Sequence, residues 1–180
     1  MKLKRELWRR KTIKLSLSDR KLQFVVAVAF LVVTVALPYF LESSMPDSQR
    51  NQIKDQVSKM SNEATVSSIF GNNAYIAMFT LVPVFGIPWI GTVMYNTGEV
   101  FVAYQASPLL LVLSPIVWIE FSAYALMLMG SVKLTALAIG TVLDRKIENV
   151  GRGFRLVRNM VFLMVVLLFF GAVLEKLMIG

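Results

Sequence analysis

A run of about 20 residues without one charge, LQFVVAVAFLVVTVALPYFL (Leu22 to Leu41), constrains this chain more than any other feature. As a helix rising 1.5 Å per residue, an apolar run of that length crosses the hydrocarbon of a bilayer. A second run, NMVFLMVVLLFFGAVL (Asn159 to Leu174), lies near the C-terminus, and residues 69–143 between the two are almost uncharged. The fold expected is all-α. It is a multi-pass transmembrane helical bundle of about five spans, with broken helices in the middle and an amphipathic helix on the outer surface.

Charge orients the bundle. Residues 1–21 carry nine Lys or Arg against two acids, and residues 144–158 carry five against two. Basic clusters beside spans mark the cytoplasmic side and attract anionic headgroups. The basic leader and the apolar core are both too long for a cleaved signal peptide and no A-x-A site follows the core, so 22–41 reads as a retained anchor. The motif SLSD (Ser16 to Asp19) fits a capping box at its start. If both clusters are cytoplasmic, an even number of crossings separates them. Five spans, with the N-terminus in the cytoplasm and the C-terminus outside, satisfy this. So do three spans plus a broken-helix hairpin that dips in from outside. The placement is the cell membrane. The basic residues lack interleaved stacking aromatics, which argues against nucleic acid as a partner.

The chain divides into the leader 1–21, a span at 22–41, an outer amphipathic segment 42–68, a core of three apolar segments within 69–141, a basic linker 142–158 and a last span 159–177. Pro46 suits a first helical turn. Ile53, Val57, Met60 and Ala64 then recur on one helical face, and the first three are candidate partner or lipid contacts. The core segments are expected near 72–95, 98–113 and 115–141, with Ser114 as an N-cap before Pro115. Arg145, Lys146, Arg152 and Arg155 of the linker are candidate headgroup contacts. The GRG at Gly151 to Gly153 follows no strand and is not a nucleotide fingerprint. No repeat of useful length is visible.

The chain has no Cys and no His. Disulfides, thiol chemistry, the usual zinc sites and Ser-His triads are therefore excluded. No cofactor and no enzymatic activity are expected. What remains are polar groups in an apolar setting: Asn72, Asn73, Asn96, Thr97, Glu99, Gln105 and Glu120. In hydrocarbon such groups need partners, and a central charge costs about 2.5–3.5 kcal/mol on insertion scales. Glu120, in SPIVWIEFSAYALM, shares a helix face with Tyr124. Two readings follow for the network of Asn72, Asn73, Asn96, Thr97, Glu99, Glu120 and Tyr124. It is a proton- or cation-linked site, or hydrogen-bonding glue between short helices. With two acids and no nearby cation, glue is the preferred reading. The stretch YNTGE reads as the junction between two segments, turning at Gly98.

The ordered stretches IFGNNAYIAMFTLVPVFG, YNTGEVFVA and SPIVWIEFSAYALM resemble the stage II sporulation protein M family, its archaeal members in particular. The matching positions are Asn72 or Asn73, Pro83, Gly86, Asn96, Gly98, Pro115 and Glu120, across residues 69–140. The resemblance implies a multi-span helical membrane protein. Many bacterial members carry a His before the Glu, which this chain lacks. The sporulation role of the named bacterial member does not carry over from residues alone.

The function expected first is that of a non-catalytic accessory subunit in a larger membrane complex, with lipids and other membrane subunits as partners. A respiratory or monooxygenase-type assembly is one such host, although no residue selects it. The alternative is a small permease or channel with a polar site at Glu99 and Glu120, which requires a cavity reaching Glu120.

Overall fold

A computed structural model describes residues 25–30, 32, 33, 36, 45–107, 109–144 and 148–179. Among them every regular element is a helix and there is no strand. The leader with its SLSD motif, most of the run 22–41, Pro108, Arg145 and Lys146 lie outside the described residues. The described part of the first run is helical. The named helices are α1 (Asp47–Asn62), α2 (Val66–Thr80), α3 (Gly86–Tyr104), α4 (Leu109–Leu113), α5 (Pro115–Asp144) and α6 (Glu148–Ile179).

The longest two helices form an antiparallel pair. On α6 the buried residues Gly153, Met160, Met164, Leu168, Gly171 and Ala172 recur at three-, four- and seven-residue steps, a single inward stripe. Gly153 faces Leu134 and Leu137, Gly130 faces Met160, and Gly171 faces Ile119 and Glu120. Small residues thus let the two backbones approach closely. The opposite face of α6 is apolar and exposed, with Phe162 at 71% and Phe170 at 60%. Helix α5 is buried on nearly all sides from Phe121 to Ser131 because α2, α3 and α6 all pack on it.

The other pair is short and interrupted. Helix α2 begins at a capping box in which Thr65 accepts from the Ser68 amide and Ser68 accepts from the Thr65 amide. It ends at Thr80, and Pro83 lies in the break before Gly86. A carbon added at Gly86 would collide with the Thr80 carbonyl oxygen and approach Ser131 Oγ at 3.0 Å. Only glycine permits this contact. Val84 in the break takes a left-handed φ of 68°. The tip docks on α5, where Ser131 Oγ donates to the Val82 carbonyl at 2.8 Å. Trp89 Nε1 donates to the Ile76 carbonyl at 3.2 Å and closes α3 back onto α2.

Two helical stretches among the described residues are long and apolar enough to cross a membrane: Pro115–Ile139 and Val157–Met178. This differs from the five spans expected. The expected 72–95 segment starts earlier, at the Thr65 cap, and is cut at residues 81–85. The expected junction at Gly98 is absent. YNTGE lies within α3, where Gly98 falls on the buried stripe Gly86, Ile90, Met94, Gly98, Val102. Thr97 stays compatible with the helix because its hydroxyl donates to the Val93 carbonyl at 2.9 Å. The chain turns instead after Tyr104, through Gln105 in the left-handed region at φ 52°.

Helix α1 matches the expected amphipathic segment in place, with Pro46 as its N-cap and Ala64 beyond its end. It runs beside the last turns of α3 in the same direction. Gln49 Nε2 donates to Glu99 Oε1 at 3.0 Å, and Tyr104 Oη donates to the Lys54 carbonyl at 3.2 Å. Ile53 and Val57 are half-buried, and Met60 is exposed.

Candidate functional site

The buried stripe of α2 is Ile69, Asn73, Ala77 and Thr80. Asn73 therefore occupies a position that helical periodicity would give to an apolar residue. A buried amide must find partners. Its Nδ2 donates to Glu120 Oε1, and its Oδ1 accepts from Tyr124 Oη at 3.2 Å. Asn72 Nδ2 reaches the same oxygen at 3.5 Å, the long limit of such a contact. Helix α5 presents Glu120 and Tyr124 together because they stand four residues apart. Asn73 is the pivot of this cluster.

The cluster borders a cavity of about 310 Å³. Asn72, Asn73, Thr97, Glu120 and Tyr124 supply its polar wall, and rings and aliphatic side chains supply the rest. Small-molecule sites commonly measure about 300–1,000 Å³. The only hydrogen bond that Glu120 receives among the described residues comes from Asn73. Its second carboxyl oxygen has no protein donor there.

The seven residues expected in one network fall into separate places. Asn73, Glu120 and Tyr124 are bonded together, with Asn72 at their edge. Thr97 shares the cavity without a hydrogen bond to them. Asn96 is on the exposed face of α3. Glu99 belongs to the α1 contact through Gln49. The pairing of Glu99 with Glu120 in one site is therefore not what the structure has. Of the linker positions, Arg152 lies on α6 and Arg155 is exposed there.

Sequence reasoning missed Glu175. It stands four residues beyond Gly171, whose α-carbon side faces the Glu120 stem. The signal was present as an acid in the final turns of the last apolar run. Among the described residues no group of three or more Asp, Glu, His or Cys could hold a metal ion.

No family model, no curated protein and no solved structure matches this chain.

Proposed function

We propose that the chain is a multi-pass integral membrane protein of the permease or channel class, with a solute site in the Glu120 cavity. One observation carries this reading: a carboxyl on an apolar helix forms part of the wall of a 310 Å³ space. Hydrogen-bonding glue alone would be expected to close up around its polar groups, since an unfilled void forfeits packing contacts. The preference between the two sequence readings is therefore reversed.

The topology proposed has three full spans, at 22–41, within α5 and within α6. The α2–α3 hairpin enters from outside and returns. Helix α1 is strongly polar, so it lies at the membrane surface, and it flanks the C-terminal end of α3. The hairpin tip meets α5 at Ser131, eight residues before Ile139. At 1.5 Å per residue the tip stops about 12 Å short of the far end of that span. Its exposed side chains are Val82, Val84, Phe85 and Ile87, all apolar and suited to hydrocarbon. An even number of crossings still separates the two basic clusters, which keeps the N-terminus inside and the C-terminus outside.

The absence of native Cys makes single-cysteine labelling direct. On this reading Thr97→Cys reacts with a small water-soluble thiol reagent, whereas Phe162→Cys on the lipid side does not. An unreactive Thr97→Cys removes the solute site. Val84→Cys should stay unlabelled by a charged maleimide from either side, and labelling from the cytoplasm would mean that α2 and α3 each cross.

A second reading, an accessory subunit of a larger complex, is supported by the outward ring cluster of Tyr75, Phe79 and Trp89, with centroids 4.6 to 6.0 Å apart. Purification in mild detergent as a solitary chain would count against it. Kinship with the stage II sporulation protein M family is proposed on the motifs alone; a member lacking the Asn73–Glu120 pairing would argue against it.

A further inference from the structure

The wall of the cavity carries a particular chemistry. Four aromatic rings, those of Phe30, Phe101, Phe121 and Tyr124, border the same space as Glu120. Phe30 and Phe121 meet edge to face, and Phe121 and Tyr124 are tilted, each pair with centroids 6.4 Å apart. No Lys or Arg lines the space among the described residues. Asn73 engages one carboxyl oxygen of Glu120 and leaves the other without a protein donor there.

We propose that this cavity binds a small organic ammonium ion, its charge paired with the Glu120 carboxylate and its alkyl groups set against the four rings. The proposal rests on the reading of the cavity as a solute site. At membrane depth a carboxyl either holds its proton or pairs with a cation, and no basic side chain lines the wall among the described residues. Aromatic faces attract a desolvated cation through their quadrupole, and quaternary ammonium groups suit such surroundings. An inorganic ion fits less well. A calcium ion takes about six to eight oxygens, whereas among the described residues the polar wall consists of Glu120, Tyr124, Thr97 and two asparagines. Asn73 already divides its amide between Glu120 and Tyr124.

The test is calorimetric titration of the full chain in lipid nanodiscs with tetramethylammonium and methylammonium. Sodium, potassium and neutral tert-butanol serve as competitors. Saturable binding of an ammonium ion is expected, unaffected by equal concentrations of the competitors. Glu120→Gln should weaken it at least about tenfold while the thermal unfolding temperature holds. Phe101→Leu, which keeps an apolar side chain of similar bulk, should weaken it about three- to tenfold, as loss of one ring face implies. That variant carries the test if Glu120→Gln fails to fold. Equal competition by sodium or potassium overturns the organic ammonium and leaves a cation site. Equal competition by tert-butanol overturns any role for charge. No binding of either ammonium ion, with Thr97→Cys still reactive, overturns this proposal alone. No binding with Thr97→Cys unreactive overturns the solute site as well.

Discussion

Helices α5 and α6 are continuous, long and joined along a buried seam rich in Gly, Ala, Met and Leu. Helices α2 and α3 are shorter, separated by a break, and bring Asn73 and Thr97 to a cavity. Both pairs are antiparallel and both contain glycine at close contacts. The difference lies in what the breaks and polar groups leave behind. A seam of small apolar residues can close tightly, and along most of this one no polar atom requires a partner. A buried amide in the middle of a packing stripe has to be met by another polar group, here 47 residues further along the chain. The first pair therefore holds the fold together and presents Glu120 and Tyr124, and the second brings Asn73 and Thr97 to meet them.

Substitutions can separate the two roles. Leu168→Ala truncates a side chain with no exposed area in the α5–α6 seam and should cost about 4 kcal/mol. Unfolding in a denaturing mixed micelle measures it, and loss of the whole fold in one transition is expected. Gly86→Ala forces a carbon against the Thr80 carbonyl and should cost about 3 kcal/mol. Its effect should be local, with hydrogen-exchange protection lost at the tip as it undocks while α5 and α6 keep their helicity. If Gly86→Ala instead reproduced the global transition of Leu168→Ala, the division into scaffold and site would be wrong. Ser131→Ala removes the hydrogen bond to the Val82 carbonyl and should cost about 1 kcal/mol, again at the tip. The smallest effect is a gain. Val84→Gly relieves a β-branched residue at φ 68°, and after the extra chain entropy of glycine the net stabilisation should be about 0.5 kcal/mol.

The two regions were unequally legible. The α5–α6 pair follows from apolar length and from Ser114–Pro115, and both candidate spans lie where the sequence puts them. The hairpin was harder to read. Pro83 and Gly86 do mark its break, but Asn96, Thr97 and Gly98 look equally like a turn. Tertiary packing overrides that appearance, since Gly98 continues the inward stripe of α3 and Thr97 bonds to its own helix. The true end of α3 is at Gln105, a residue type with no marked preference for a left-handed conformation. Glu120 was singled out by its isolation in an apolar run. Its bond to Asn73 could not be, because the pairing depends on how α2 lies against α5. Glu99 was grouped with Glu120 in sequence, and the position of α1 separates them.

The depth of the hairpin is fixed by protein contacts, the Ser131 bond and the Gly86 approach, whereas the thickness of the surrounding bilayer is fixed by its lipids. On the topology proposed, a layer of tail carbon about 12 Å deep separates Val84 and Phe85 from the far headgroups. Lipids with shorter tails thin that layer and bring water toward an apolar tip that has no polar side chain to meet it. Adjusting to such mismatch costs fractions of a kcal/mol per Å. On that topology the hairpin, rather than the spans, would give the fold a preference for thicker membranes.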